Sequence, residues 1–510
     1  MGIQEALAGA LSLFTVQSML YLLLGVAIAQ VIVILPGLGG HFAVAVILPF
    51  ALLLEPAASI GLYIGASVTT GTGNTITSVL FGVPGSPTGI ATLFDGYPLA
   101  KKGEGARAVA AGLTASAVGG IIGAVALAVL FPFFRPITLS LSSPEFFALI
   151  LVAVIFMAYV GEGDLLKALI AGGAGLMLSL VGQELSTGAV RYSLGSLYLW
   201  DGIALVPFFI GLYGVSEMME LIRRGGSIAR DHKVGLEKGG VRKGMLDPFR
   251  RPRATIIGSI VGTIIGIIPG LGGSTAQFVS YTTVARVSKH RANFGKGEIE
   301  GVIGSDAATN ANDAGQQLPT LGFGIPGTAG AAILLSLLMV HGVQPGPRML
   351  VDNADFIWFI ILLYIPGNIF ATALCLIAIR PLARLTLVPS GYLVTIILVL
   401  CFLGAFVSNF ALGDIVTATV FGIVGYVMLR NGYSRATMIV GFVLGSILER
   451  HYLLSMRLYG LEFLTRPVVM VLFGLALITI LNEPARRIGG YLFRSLRSGN
   501  ARRHHEEHSR

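Results

Sequence analysis

Long apolar stretches that carry almost no charge dominate this sequence and limit what it can fold into. The chain of 510 residues is 54% hydrophobic and only 12% charged, and its first 100 residues contain no Lys or Arg. Soluble domains carry about 25% charged residues. Apolar stretches of about 20 residues recur along the chain, which is the length that a helix needs to cross a bilayer. The sequence therefore predicts an α-helical protein that crosses a membrane many times.

The positive charges lie between the apolar stretches and give the expected orientation. Residues 223–253 hold ten Lys and Arg against three Asp and Glu. Because cytoplasmic loops collect Lys and Arg, this stretch is predicted to be a cytoplasmic linker between a first transmembrane repeat, 1–222, and a second, 254–485. The basic tail, 486–510, is predicted to be cytoplasmic, and the N-terminus is predicted to lie outside. This distribution explains the net charge of +9, so no nucleic-acid partner is expected.

A pentapeptide that occurs twice indicates that the two halves are related. Residues 36–40 and 269–273 both read Pro-Gly-Leu-Gly-Gly, and each copy is followed by a second break, Gly-Val-Pro-Gly-Ser at 82–86 and Gly-Ile-Pro-Gly-Thr at 324–328. The loop between the two breaks is basic only in the second half, which indicates opposite orientations of the repeats in the membrane. The predicted fold is an all-α polytopic membrane protein with two inverted-topology repeats, discontinuous or re-entrant helices and roughly 10–14 transmembrane segments.

The four breaks are candidate binding elements. A helix broken inside a bilayer exposes backbone groups that lipid cannot satisfy, so such breaks occur in protein interiors or around polar cavities. The half-helix after a break offers free N–H groups and a positive dipole end, which suit a carboxylate. The alternative is a packing kink, since Gly and Pro are common in transmembrane helices. Because each break of the first half has a counterpart in the second half, a binding site is favoured over a packing kink. The predicted substrate-binding residues are Gly37, Gly39, Gly40, Thr72, Asn74, Pro84, Gly85, Ser86, Gly270, Gly272, Gly273, Ser274, Pro326, Gly327 and Thr328.

A row of polar residues precedes the last break. Asp306, Asn310, Asp313 and Gln317 are spaced four, three and four residues apart, so they share one face if this segment is helical. Carboxylates inside a membrane are costly and face a partner or a transport pathway. Asp306, Asn310 and Asp313 are therefore predicted to hold a coupling Na⁺ or to carry a proton. The alternative is an aqueous loop outside the bilayer.

The sequence lacks the motifs of several other chemistries. It contains no phosphate-binding Gly-Lys-Ser/Thr loop, no Gly-x-Ser-x-Gly elbow and no His-Glu-x-x-His zinc motif. Neither a nucleotide-driven pump nor an enzyme is therefore expected, and no cofactor besides the coupling ion is predicted. Gly258, Gly262 and Gly266, four residues apart, predict a face of close helix packing. A passive channel or exporter for small anions is the alternative to a coupled transporter.

The motifs resemble those of the large membrane subunit of the tripartite tricarboxylate transporters, the TctA family, in order and over nearly the whole chain. The resemblance is carried by both Pro-Gly-Leu-Gly-Gly copies, by 83–87 with Phe-Asp-Gly-Tyr-Pro-Leu-Ala-Lys-Lys-Gly-Glu at 94–104, and by 324–328 with His-Gly-Val-Gln-Pro-Gly-Pro at 341–347. It implies secondary transport of an organic anion, often a carboxylate, driven by a Na⁺ or H⁺ gradient across the inner membrane of a prokaryote. It also implies a small membrane subunit and an extracytoplasmic binding protein as partners. A homodimeric scaffold is a further hypothesis.

The sequence departs from the family pattern inside the predicted site. Where the family usually shows Glu-Ala-Ala-Asn-Asn-Ala, residues 306–311 read Asp-Ala-Ala-Thr-Asn-Ala, and residues 70–74 replace a Tyr-Gly-Gly stretch. These differences indicate that the specificity of this chain resides between residues 306 and 317.

Overall fold

The described part of the chain is a bundle of helices with one very short sheet. A computed structural model describes residues 3–34, 40–84, 86–160, 164–184, 188–224, 240–385 and 390–480. The helices are α1 (Ile3–Ser12), α2 (Val16–Val33), α3 (Gly40–Ala51), α4 (Pro56–Phe81), α5 (Ile90–Leu99), α6 (Gly105–Ser140), α7 (Ser143–Val160), α8 (Leu165–Ser179), α9 (Leu205–Phe209), α10 (Ser216–Arg224), α11 (Gly240–Arg250), α12 (Pro252–Ile267), α13 (Gly272–Val287), α14 (Ile299–Gly315), α15 (Gln317–Phe323), α16 (Ala329–Val340), α17 (Pro347–Asp352), α18 (Ala354–Leu385), α19 (Ser390–Asn409), α20 (Leu412–Asn431), α21 (Arg435–Tyr459) and α22 (Pro467–Ile480).

Short irregular elements join these helices. Strands β1 (Gly182–Gln183) and β2 (Val190–Arg191) form an antiparallel pair with Gly182 opposite Arg191. The 3₁₀ turns are Pro87–Gly89, Leu197–Leu199, Arg291–Asn293 and Gly460–Thr465, and the π-helical turns are Ala100–Glu104 and Ile210–Val215.

The prediction of an all-α polytopic membrane protein is confirmed. Within the described residues, six segments are long and apolar enough to cross a membrane, and seven shorter apolar helices accompany them. The longest of these segments, Pro87–Ser140, has 54 residues, whereas one crossing needs only about 20. Gly103 has φ +87° within it, a conformation that favours glycine. The chain therefore turns between α5 and α6, next to Lys101 and Lys102.

The helices of the two predicted repeats pack directly against each other. A Cβ at Gly441 of α21 would overlap the carbonyl oxygen of Gly172 of α8, and a Cβ at Gly211 would lie 2.5 Å from the carbonyl oxygen of Ala418. Part of the predicted linker is helical, since it contains α11. This helix packs on α6, and its Asp247 pairs with Arg107 at 2.6 Å. Residues 225–239 of the linker and the tail 486–510 lie outside the described residues, and the domain boundaries stay a prediction.

The repeat is visible in backbone conformation at the second breaks. Gly82 (φ +65°) ends α4, and Gly324 (φ +73°), 242 residues later, ends α15. Ser86 and Thr328, also 242 residues apart, are both extended, with φ −152° and −146°. The same break geometry therefore occurs once in each half. The opposite orientation of the two halves stays a prediction.

Close glycine packing is repeated as well. A Cβ at Gly25 of α2 would overlap the carbonyl oxygen of Leu62 in α4. Its counterpart Gly258 of α12 would place a Cβ 2.5 Å from the carbonyl oxygen of Gly304 in α14. Cβ atoms at Gly262 and Gly266 would overlap carbonyl oxygens of α14 as well, so the predicted packing face is confirmed. In both halves, a glycine therefore lets one helix approach closely the helix that carries the polar residues of the predicted site.

Candidate functional site

The candidate site is built around α14, which lies between the broken helices of both halves. This helix packs against α4, α5 and α6 of the first half and against α12 and α13 of the second. Its Gly and Ala residues allow these close approaches, and nearly all of it is buried. The predicted helical face is confirmed for Asp306, Asn310 and Asp313, whereas Gln317 begins α15. The alternative of a water-exposed loop is wrong, since the segment is helical and Asp306 is only 2% exposed; its depth in the bilayer stays a prediction.

The second break of the first half touches the first break of the second half. Asn74 Nδ2 of α4 lies 2.6 Å from Ser86 Oγ and 2.9 Å from Thr88 Oγ1, and it shares its two hydrogens between this hydroxyl pair and the carbonyl oxygen of Thr70. The two hydroxyls are 2.6 Å apart. A Cβ at Gly273, in the first turn of α13, would lie 2.9 Å from Thr88 Cγ2. Two breaks that are distant in sequence therefore meet at one place beside α14.

The two breaks of the second half also meet. The backbone N–H of Gly270 donates to the carbonyl oxygen of Gly327 at 3.2 Å. Thr328 Oγ1 donates to Gln316 Oε1 at 2.8 Å. Gln316 follows Asn74 by 242 residues, so the Asn74–Ser86 contact and the Gln316–Thr328 contact are counterparts in the repeat.

Asp306 is a buried carboxylate with an incomplete set of partners. Thr75 Oγ1 and Thr92 Oγ1 donate to Asp306 Oδ1 at 3.1 and 2.9 Å. Its second oxygen, Oδ2, has no hydrogen-bond partner among the described residues and faces Gly112 of α6. A buried charge without a partner is costly. Hydroxyl and carboxylate oxygens are the ligands of hard cations, and binding of a Na⁺ or a proton by Asp306 stays a prediction.

Asn310 and Asp313 have partner sets of their own. Asn310 Nδ2 donates to Thr72 Oγ1 at 2.9 Å and to Asn368 Oδ1 of α18 at 2.5 Å. Asp313 Oδ1 accepts from Gln316 Nε2 at 3.2 Å. The three predicted ion ligands thus lie on one helix face but contact different neighbours. Their role in coupling stays a prediction.

The structure locates most of the predicted substrate-binding residues. Gly37, Gly39 and Gly85 lie outside the described residues. Gly40, the first residue of α3, packs against Thr70 of α4, and Ser274 lies half-buried in the first turn of α13. Asn74 contacts the break at Ser86, and Thr72 contacts Asn310. The predicted residues that lie within the breaks are Pro84, Ser86, Gly270, Gly272, Gly273, Pro326, Gly327 and Thr328.

Several polar residues of the site were not singled out from the sequence. They are Thr88, Thr92, Gln277, Asn312 and Asn368. Asn312 stands between Asn310 and Asp313 in the polar row of α14, and the others are amides or hydroxyls within or beside helices, which is a weak signal in the sequence. Some of their partners are far away along the chain, as for Thr92 and Asp306, 214 residues apart.

We expect Asn310→Ala to lower the free energy of unfolding by about 1–3 kcal/mol, because Thr72 and Asn368 then lose a buried partner. Asn293→Ala, in the exposed turn Arg291–Asn293, serves as the matched control and is expected to stay within about 0.5 kcal/mol. Denaturant unfolding of both purified variants measures the difference. Equal stabilities would show that the Asn310 network contributes nothing to folding.

Paired broken helices around a buried polar cluster are typical of membrane transporters built from repeats. The model of the tripartite tricarboxylate transporter TctA family matches residues 19–440, and the chain belongs to this family. It is 31% identical over 473 residues to an uncharacterized 52.8 kDa protein in the TAR-I ttuC' 3' region of Agrobacterium vitis, covering 91% of this chain and 93% of the relative. An uncharacterized protein in the TAR-II ttuC' 3' region of the same organism is 33% identical over 217 residues, covering 42% of this chain and 90% of the relative. No solved structure matches the chain.

Proposed function

We propose that this chain is the permease subunit that imports an organic anion, a carboxylate, by alternating access driven by a Na⁺ or H⁺ gradient. The observation that carries the proposal is the contact between the Ser86–Thr88 turn of the first half and Gly273 at the start of α13 in the second. A site shared by two repeats opens to one side or the other when one repeat moves against its partner. The proposed membrane is the inner membrane of a prokaryote, with the N-terminus outside and the C-terminus cytoplasmic.

The anion is proposed to bind backbone N–H groups and hydroxyls at the breaks. The N-terminus of α13 has no side-chain cap, and the first N–H groups of a helix lack intrahelical acceptors. The helix dipole adds a partial positive charge there. In this proposal a carboxylate accepts hydrogen bonds from these N–H groups, which replace the hydrogen bonds to water that the anion loses on binding.

Asp306 is proposed to bind the coupling ion. Asp306 of α14 accepts from Thr75, which follows Asn74 in α4, so the ion site and the proposed anion contacts share that helix. Neutralising Asp306 with Na⁺ or H⁺ removes a negative charge near the arriving anion. Ion and anion binding then favour each other, which is the thermodynamic requirement for coupling.

The proposed partners are those of a tripartite system. Membership of the TctA family supports a small membrane subunit and an extracytoplasmic binding protein that delivers the anion. No enzymatic step is proposed for this chain.

Uptake by proteoliposomes tests the proposed function. The purified chain, alone and with its partner subunits, is reconstituted and given labelled citrate, succinate or tartrate with an inward Na⁺ gradient, an inward proton gradient or neither. We expect accumulation above the external concentration only when one of the gradients is present. Uptake that only equilibrates, at the same rate in all three conditions, would identify a passive channel and overturn the proposal.

A further inference from the structure

We propose that α5 is a gate over Asp306 and that Asp95, near the middle of α5, is the positioning residue that holds this gate closed. The inference deepens the proposed function and rests on it, because a buried ion site in a transporter must open to one side in each cycle. The gate lies at the end of α14 that follows residues 286–297, which hold four Lys and Arg and no Asp or Glu. By this charge, the gate opens towards the predicted cytoplasmic side.

Asp95 makes three hydrogen bonds within the described residues, and each of them joins the first half of the chain to the second. The backbone N–H groups of Gly297 and Glu298, where α14 begins, both donate to Asp95 Oδ1 at 2.8 Å. The Tyr281 hydroxyl of α13 donates to Asp95 Oδ2 at 2.8 Å. Asp95 is 0% exposed, and hydrogen bonds to an ionised acceptor are about twice as strong as neutral ones. One side chain of α5 therefore holds this helix against both α13 and α14.

The same face of α5 covers the proposed ion site. Thr92 precedes Asp95 by three residues, so the two side chains lie on one face of the helix. Thr92 Oγ1 donates to Asp306 Oδ1 at 2.9 Å and lies 3.0 Å from Ser305 Oγ. Ser305 and Asp306 are both buried beneath this contact. Movement of α5 away from α14 therefore uncovers the carboxylate that is proposed to bind the coupling ion.

The length and the ends of α5 suit it to move. Helices α4, α5 and α6 all contact Asp306, but α4 has 26 residues and α6 has 36, whereas α5 has only 10. Glycines with positive φ lie on both sides of α5, Gly82 at +65° and Gly103 at +87°. Hinges are a few residues at the ends of elements that absorb changes in φ and ψ. We therefore assign Gly82 and Gly103 as the hinges of the gate.

Gly301 of α14 makes room for the Asp95 carboxylate. A Cβ at Gly301 would overlap Asp95 Oδ2 and would lie 2.9 Å from the Tyr281 ring. Gly301→Ala is therefore expected to displace Asp95 from its donors and to favour the open gate. This variant releases α5 while Asp95 and Tyr281 themselves stay unchanged.

Thiol labelling of the purified full chain tests the gate. Ser305→Cys is the reporter, because Ser305 lies beneath α5, and N-ethylmaleimide is the probe. The chain without the reporter gives the background from Cys375 and Cys401, which are both buried. We expect Tyr281→Phe to speed labelling of the reporter about ten- to a hundredfold, the effect of losing one hydrogen bond to a charged group. Gly301→Ala is expected to speed it as well.

Tyr198→Phe is the matched control for Tyr281→Phe. The Tyr198 hydroxyl donates to the buried carboxylate of Asp414 at 2.7 Å, so this variant loses the same kind of hydrogen bond. Asp414 belongs to α20, which packs against α9, α10 and α19. Tyr198→Phe is therefore expected to lose about as much stability as Tyr281→Phe, while the reporter is labelled as slowly as in the chain with the reporter alone.

Two results would overturn the gate. One is equal acceleration of labelling by Tyr281→Phe and Tyr198→Phe, because Asp95 then only stabilises the fold. The other is labelling of Tyr281→Phe or Gly301→Ala at the rate of the reporter alone. Uptake decides the proposed function separately. The expected labelling pattern without gradient-driven accumulation by the wild type refutes transport and leaves the gate standing, whereas accumulation without that pattern refutes only the gate.

Discussion

Asp306→Asn is expected to abolish gradient-driven accumulation while the protein stays folded. An asparagine oxygen still accepts from Thr75 and Thr92, the two donors to Asp306 Oδ1, but an amide carries no charge to bind Na⁺ or a proton. If one monovalent ion is lost from the cycle, accumulation under a tenfold ion gradient falls about tenfold, since each factor of ten corresponds to about 1.4 kcal/mol. Proteoliposome uptake at steady state, with and without the gradient, measures this ratio.

Asp201→Asn is the matched control for this experiment. Asp201 is exposed in the turn that follows Leu197–Leu199, so the same chemical change there is expected to leave the accumulation ratio unchanged. Unfolding temperatures of both variants show whether the protein is intact. An Asp306→Asn variant with wild-type ion dependence would remove Asp306 from the coupling site.

Gly25→Ala is expected to lower the free energy of unfolding by about 1–3 kcal/mol, the typical cost of overpacking. The added Cβ would overlap the carbonyl oxygen of Leu62, so α2 must move away from α4. Alanine favours a helix over glycine by about 1 kcal/mol, which offsets only part of this cost. Because α4 carries Thr72, Asn74 and Thr75, uptake is expected to fall with stability. Denaturant titration of the purified variant measures the change.

Gly173→Ala of α8 controls for helix propensity alone. A Cβ at Gly173 would have no atom within 4 Å, so this variant is expected to be as stable as the wild type or more stable by about 0.5–1 kcal/mol. Gly258→Ala, the repeat counterpart of Gly25, is expected to be destabilised like Gly25→Ala. If Gly25→Ala and Gly173→Ala unfold at the same denaturant concentration, close contact between α2 and α4 does not limit stability.

The class of fold could be predicted because it depends on local properties of the sequence. Apolar runs with few charges admit few structures other than membrane helices, since lipid satisfies no backbone hydrogen bonds. The glycine spacing of Gly258, Gly262 and Gly266 predicted a packing face, because residues four apart lie on one side of any helix. The positions of the breaks followed from Pro and Gly, which interrupt a helix wherever they occur in such a pattern.

The partners within the candidate site could not be predicted in the same way. The sequence placed Asp306 and Asn310 on one helix face, but nothing in it indicates that Asp306 meets Thr75 and Thr92 while Asn310 meets Thr72 and Asn368. The repeat also predicted equivalent second breaks. Their hydrogen bonds differ, because Asn74 donates to Ser86 whereas Gln316 accepts from Thr328.

By itself, the sequence determined that this chain is a helical membrane protein of two related halves with paired breaks, because hydrophobicity, charge and glycine spacing act over a few turns of helix. Only the tertiary structure decided which breaks meet, that the Ser86–Thr88 turn lies against Gly273, and that Asp306 is buried with one oxygen that has no partner in the described part of the chain. Such contacts join residues that are far apart in the sequence, for example 231 positions for Thr75 and Asp306. They depend on how whole helices pack, which no local pattern records.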